Sequence, residues 1–183
     1  METRELIQKL KSELPGSVLQ IQAFGRAKEP TLWVEMRSLP EVAIFLKDQS
    51  GLSLDWLEHL SVMEVEQALV LTYFLRSTQD TAQAAILLRC SIVPSSAEAL
   101  IEVPSVSLVW AMAVPMEREL SELFGIHFRG STEKAGTEHG TMLPEGWIGY
   151  PLRKSYVFPT EYKGIPHIRP VGQTGPDEYG TGL

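Results

Sequence analysis

The chain has 183 residues, a hydrophobic fraction of 44% and a formal net charge of −7. That length and apolar content suit one domain with a single core, plus a tail. The acidic balance argues against nucleic acid as the main partner, because phosphate binding needs a basic face. The single cysteine, Cys90, excludes an internal disulfide and a cysteine-rich zinc or iron–sulfur site. It reads as a small buried residue on a strand.

Residues 1–14 mix acids and bases and lack an apolar h-region, so no secretory signal is expected. No apolar run approaches the roughly 20 residues that a membrane helix needs. A cytoplasmic chain is expected, reaching a membrane only through protein contacts.

In chain order, residues 3–14 place Leu6, Ile7, Leu10 and Leu14 at helical spacing, with Thr3 as N-cap and Pro15-Gly16 as the stop. Residues 18–24 and 31–36 are β-rich and flank a turn at 25–30, which predicts a hairpin. Pro40 suits the first turn of a helix over 40–49, whose buried face is Val42, Phe45 and Leu46. Three strands are expected within 52–65, 66–77 and 82–93. The last suits strand or helix by composition; the loop at 78–81 and Pro94 favour a strand. Ser95-Ser96-Ala97-Glu98 has the capping pattern of a helix start, and Pro104-Ser105-Val106 breaks that segment. Residues 107–113 read as an apolar connector.

These elements predict an α+β fold: a mixed or mainly antiparallel sheet with helices on one face. Residues 1–130 would form the core domain, and 131–183 a loop and extended C-terminal arm for docking. The tail from 161 is rich in Gly and Pro without periodicity, so by itself it should be extended or disordered.

The most distinctive stretch runs from Pro115 to Tyr156. A helix starting near Pro115 carries Glu117, Arg118, Glu119 and Glu122 among an apolar stripe of Leu120, Leu123 and Phe124. Arg118 and Glu122 stand at i, i+4 and can pair. Glu117 lies three residues before Leu120 and seven before Phe124, yet charged residues of this kind ordinarily form a solvated face. Gly125 suits a left-handed helix terminator.

A metal site from Glu117, Glu119, His127 and His139 lacks support. The two glutamates project on different helix faces, and no ligand spacing is preorganised. An acid–base pair fails for the same reason. His59 and His167 are isolated and read as surface or packing residues. No phosphate-binding glycine loop is present. Downstream, Tyr150-Pro151-Leu152-Arg153-Lys154 and Tyr156 form an extended, basic and aromatic segment. Arg and Tyr are enriched at protein interfaces, so this segment suits lying across a neighbouring protein.

At these residues the chain resembles the 30-kDa subunit family of respiratory complex I, the NADH-quinone oxidoreductase. The resemblance rests on Glu117-Arg118-Glu119, Glu122, Gly125-Ile126 and Phe128-Arg129-Gly130. It extends to Leu143-Pro144-Glu145-Gly146-Trp147 and to Gly149-Tyr150-Pro151-Leu152-Arg153-Lys154-Ser155-Tyr156. Upstream, Val103-Pro104-Ser105-Val106 and Trp110 also match, so the likeness covers about 66–158. The chain departs from the family pattern at 131–139 and carries Ser155 where the family has Asp.

The resemblance implies a non-catalytic structural and assembly subunit with no catalytic, cofactor-binding or metal-binding residues and no cofactor of its own. It would sit in the peripheral arm of a proton-pumping enzyme, on the cytoplasmic side of the membrane. Its partners would be the D-type quinone-site subunit and the B- and I-type iron–sulfur subunits. Subunit-interface residues would be Glu117, Arg118, Glu119, Glu122, Phe124, Gly125, Tyr150, Pro151, Leu152, Arg153, Lys154 and Tyr156. The alternatives are the equivalent subunit of a membrane-bound [NiFe] hydrogenase or formate hydrogenlyase, or a free-standing metal-dependent enzyme.

Overall fold

The computed structural model describes residues 3–24, 29–48, 53–80, 85–95, 100–132 and 142–166. Helix α1 (Thr3–Glu13) leads into a hairpin of β1 (Val18–Phe24) and β2 (Glu29–Val34), and a 3-10 turn, Met36–Ser38, opens into α2 (Leu39–Asp48). Strands β3 (Trp56–Val65), β4 (Ala68–Arg76) and β5 (Ile86–Ile92) follow. The sheet order is β1-β2-β5-β4-β3. All neighbours are antiparallel except β2 and β5, which run parallel. Of the two expected forms, mixed or mainly antiparallel, the sheet is therefore mixed, with one parallel pair, and the run at 86–92 is a strand.

Alternation along the strands sets two faces. Leu69, Leu71, Tyr73 and Leu75 of β4 point inward, beside Ile86, Leu88 and Cys90 of β5 and Leu32 and Val34 of β2. Leu10 of α1, the Leu39, Val42, Phe45 and Leu46 side of α2, and Leu120 and Phe124 further on join the same core. The helices thus lie on one face. Opposite stand His59, Met63, Phe74, Arg89 and Trp33, exposed or half-buried, with Thr31, Val70, Thr72 and Leu87 buried among them. There Arg89 lies over the Trp33 ring at 5.7 Å, and His59 tilts against Phe74.

Cys90 is buried on β5, where desolvation pushes its thiol up to about 12. Desolvation also raises the Tyr73 hydroxyl well above its usual range, with the Cys90 and Glu117 charges adding to it. A group that holds its proton more tightly when folded destabilises the fold once the unfolded chain can release that proton. Stability should therefore fall as the pH climbs from 9.0 toward about 12. A thiol reagent should label Cys90 at neutral pH only after denaturant unfolds the chain; fast labelling of the native chain would contradict the burial.

Local expectations and structure differ at two places. Ile101–Pro104 is a strand, β6, where the capping pattern predicts a helix; residues 96–99 lie outside the described residues. Its burial alternates, with Ile101 and Val103 inside and Glu102 outside, so a two-residue period prevails over the capping pattern. Its partner is β7 (Ile126–Arg129), in parallel register. The beginning of the tail is also ordered: β8 (Glu161–Tyr162) and β9 (Ile165–Pro166) form a small hairpin. Its two loop residues, Lys163 and Gly164, both have positive φ, as a tight two-residue hairpin turn requires. Residues 167–183, with His167, lie outside the described residues.

Between β6 and β7 the chain turns through 105–112 and enters α3 (Ala113–Phe124). Trp110 is buried in this turn, and its Nε1 donates to the Leu54 carbonyl at 2.9 Å. Lys47 at the end of α2 donates to the Val109 carbonyl. These bonds fix the start of α3 against the sheet domain.

Candidate functional site

Helix α3 presents the Glu-Arg-Glu run. Leu120 and Phe124 face the core, and so does Glu117, which is 1% exposed. The expectation of a solvated acidic face therefore fails at Glu117 and holds at Glu119, which is exposed. The three-and-seven spacing to Leu120 and Phe124 already places Glu117 on the buried stripe.

A buried carboxylate must be hydrogen-bonded or it is strongly unfavourable. Glu117 Oε1 accepts the Val106 N–H at 2.9 Å, and Oε2 accepts the Ser105 hydroxyl at 2.7 Å. Ser105 Oγ lies 2.8 Å from Ser107 Oγ, which in turn accepts the Thr132 N–H at 2.9 Å. The Ser105 amide donates to the Arg129 carbonyl. One side chain thus ties α3 to the end of β6 and, through two serines, to the end of β7. Neither serine stands out by spacing alone. Ser105 does fall inside the Val103-Pro104-Ser105-Val106 block.

The far end of α3 is closed by the segment 142–158. Gly125 takes the left-handed conformation (φ 67°, ψ 41°), and its N–H donates to Ser121 O at 2.9 Å. The last helical carbonyls then need donors from elsewhere. Leu152 N–H donates to Leu123 O at 3.2 Å. Arg153 Nε donates to Phe124 O at 2.7 Å, and its Nη2 to Gly125 O at 3.3 Å. A cation here also opposes the negative end of the helix dipole.

Tyr150 lies flat on Gly125, in space that any Cβ would occupy, and the Arg153 guanidinium stacks over the Tyr150 ring at 4.6 Å. Gly149 repeats the device more loosely: a Cβ there would stand 2.9 Å from the Tyr156 ring. Glu122 Oε2 accepts the Met142 and Leu143 N–H groups at 2.9 and 3.2 Å. Glu64 of β3, ninety positions away in sequence, accepts the Lys154 N–H at 2.8 Å. No local sequence signal marks Glu64 for this contact.

The two distinctive blocks of the sequence therefore meet in one junction. Glu117, Phe124 and Gly125 are buried in it; Arg118, Glu122, Pro151, Arg153 and Tyr156 are half-buried; Glu119, Tyr150, Leu152 and Lys154 are exposed. His127 is exposed on β7, apart from the buried Glu117, while His139 lies outside the described residues. Among the described residues no group of three metal-ligating side chains comes together. The contacts described at the junction are capping and seating contacts, and these hold the arm's shape.

On the outer side of the arm the chemistry changes. Ile148, Leu152, Val157 and Phe158 are 81, 52, 83 and 62% exposed. Phe158 packs edge-on against Trp147 and Tyr156, which stiffens this surface. Among the described residues no helix is long and apolar enough to cross a membrane.

Comparison with known proteins agrees with this architecture. The family described as "Respiratory-chain NADH dehydrogenase, 30 Kd subunit" matches residues 32–162, which takes in the sheet from β2 onward, α3 and the arm. The C-type subunit of the NADH-quinone oxidoreductase of Chlorobium phaeobacteroides is 32% identical over 129 residues, covering 69% of this chain and 72% of that protein. Its counterpart in Geobacter metallireducens is 26% identical over 159 residues, covering 85% and 90%.

Among solved structures, the trypsin-resistant fragment of Nqo5 superposes with a TM-score of 0.56 at 17% identity, covering 73% of this chain and all of the fragment. A chain of the membrane-bound sulfane sulfur reductase, an archaeal respiratory membrane complex, gives 0.57 at 15% identity, covering 73% and 74%. These structural likenesses concern the fold. With the family model matched across residues 32–162, and with a relative 32% identical over 69% of the chain, the chain belongs to the respiratory-chain NADH dehydrogenase 30 Kd subunit family.

Proposed function

We propose that this chain is a non-catalytic structural and assembly subunit in the peripheral arm of a proton-pumping NADH-quinone oxidoreductase. It docks on the quinone-site subunit, beside the iron–sulfur subunits, on the cytoplasmic side of the membrane. The observation that carries the reading is the family match across 32–162. The α3–arm junction supports it, because its polar groups serve the chain's own backbone and leave an apolar outer row for a neighbour. In this reading the subunit holds no cofactor, and electrons pass through its partners.

The interface centres on the exposed and half-buried residues of α3 and the arm, among them Arg118, Glu119, Glu122, Tyr150, Leu152, Lys154 and Tyr156; Glu117, Phe124 and Gly125 act from inside the chain by shaping α3. A related membrane-bound assembly of the hydrogenase type is the second reading, favoured by the fold shared with the sulfane sulfur reductase chain.

The test is affinity purification of the tagged chain from its own host, with mass spectrometry and metal analysis. Recovery of a quinone-site subunit without nickel-ligating cysteines is the expected result. A partner with such cysteines would establish the second reading. A lone chain holding stoichiometric zinc or iron would overturn both.

A further inference from the structure

We propose that residues 142–158 form a strap that opens as one unit while the sheet domain and α3 stay folded. Glu122 and Glu64 fasten it near its two ends. The proposal concerns the chain by itself; it goes beyond the assembly reading and does not rest on it.

Segments that bury little apolar surface open at a lower free energy than the core they lie on. Among the described residues of the strap none is fully buried; Leu143, Trp147, Pro151 and Tyr156 reach only half-burial. Helix α3, by contrast, buries Ala113, Glu117, Leu120 and Phe124. The strap also leaves a cleft of about 280 Å³ against the sheet domain. Glu64, Leu69 and Ile101 line one side of this cleft, and Arg153 and Ser155 the other.

Within itself the strap is cohesive. The Phe158 ring packs on Trp147 and Tyr156, and the Tyr156 ring covers Gly149. Tyr156 Oη donates to the Ile148 carbonyl at 3.3 Å. Trp147 N–H donates to Pro144 O, Arg153 N–H to Tyr150 O, and Tyr156 N–H to Arg153 O. None of these contacts is lost when the strap lifts, so its residues should leave together.

The fastenings to the rest of the chain are mostly polar. Glu122 Oε2 of α3 holds the Met142 and Leu143 N–H groups, and Glu64 Oε2 of β3 holds the Lys154 N–H. Between them stand the Leu152 N–H bond to Leu123, the Arg153 bonds to Phe124 and Gly125, and the Tyr150 seat. A hydrogen bond to a carboxylate is stronger than a neutral one. The Met142 and Lys154 bonds are exposed, however, so water can replace either partner as the strap opens.

Amide hydrogen exchange of the full chain tests this in the parent, Glu64→Ala, Glu64→Gln and Glu122→Ala. Leu71, in the centre of the sheet, reports global opening. In the parent, Leu143, Leu152 and Lys154 should share one opening constant, larger than that of Leu71 by roughly tenfold or more. Removing one fastening should loosen the other end. Glu64→Ala should speed exchange about tenfold at Leu143 and Leu152, and Glu122→Ala about as much at Leu152 and Lys154. Leu71 should stay within about twofold of the parent in both. Glu64→Gln keeps a neutral acceptor and should fall between.

Acceleration confined to the amides beside the altered side chain would mean piecewise fraying and overturn the single unit. Protection at Leu152 equal to that at Leu71 in the parent would overturn the strap, because the segment would then open only with the whole chain. If Glu64→Ala speeds Leu71 as much as Leu143, Glu64→Gln and Glu122→Ala repeat the comparison, and the same result in either overturns the proposal.

Discussion

Glu117→Ala should lower the stability of the isolated chain by about 3 kcal/mol, because it strands the buried Val106 N–H, removes an acceptor from the half-buried Ser105 hydroxyl and leaves a cavity in the core. For a chain of this size that is a fall of roughly 6–12 °C in melting temperature. The Val106 N–H would lose its acceptor and the Ser105 hydroxyl would turn to Ser107 Oγ, so the link from α3 to β6 would go. Glu117→Gln keeps one oxygen that can still accept the Val106 N–H and should cost about half as much. Glu119→Ala, on the exposed face of the same helix, should stay within about 0.5 kcal/mol. Thermal melts of the three variants test the contrast. If Glu117→Ala melts with the parent, the carboxylate is not what ties the helix to the sheet domain.

Gly125→Ala should cost about 3 kcal/mol, from two separable causes: backbone strain and a steric clash. A left-handed conformation is unfavourable for alanine by about 1 kcal/mol. Overpacking against the Tyr150 ring adds roughly 1–3 kcal/mol. Gly130 has a similar positive φ of 77° with open space around it, so Gly130→Ala should show only the first cost. The difference between the two variants measures the ring seat. Tyr150→Ala combined with Gly125→Ala should recover most of that difference. Failure to recover it would show that the strain lies in the backbone and that the ring is a bystander. Denaturant melts give the free energies, and exchange at Leu152 tells whether the arm has been released.

Much of the scaffold is legible in local pattern. The helical spacing from Leu6 to Leu14 and the Val42-Phe45-Leu46 face announce α1 and α2, and the β-rich runs closed by the loop at 78–81 and by Pro94 announce β3 to β5. Gly125 announces its own left-handed backbone, since few other residues take that conformation cheaply. The segment 101–104 misleads because four residues are too few for a period to stand out against a capping pattern. The hairpin at 161–166 is missed because its signal is one Lys-Gly turn within a polar tail. Arg153 is legible as an interface type of residue, but its contacts with Phe124, Gly125 and Tyr150 are not.

The sequence by itself determined the α+β class, a mixed or mainly antiparallel sheet with helices on one face, the stop at Gly125, the burial of Cys90 and the family resemblance. Each of these is carried by residue type or short-range spacing. The tertiary structure alone decided that β5 inserts between β2 and β4, that β6 finds β7, and that the arm folds back so that Arg153 caps α3 and Lys154 meets Glu64. Those pairings join groups far apart along the chain, and nothing in the local pattern of either partner specifies the other. It also decided what Glu117 does. A carboxylate on an apolar stripe reads equally as an exception at the surface or as an anchor in the core, until its donors are in place.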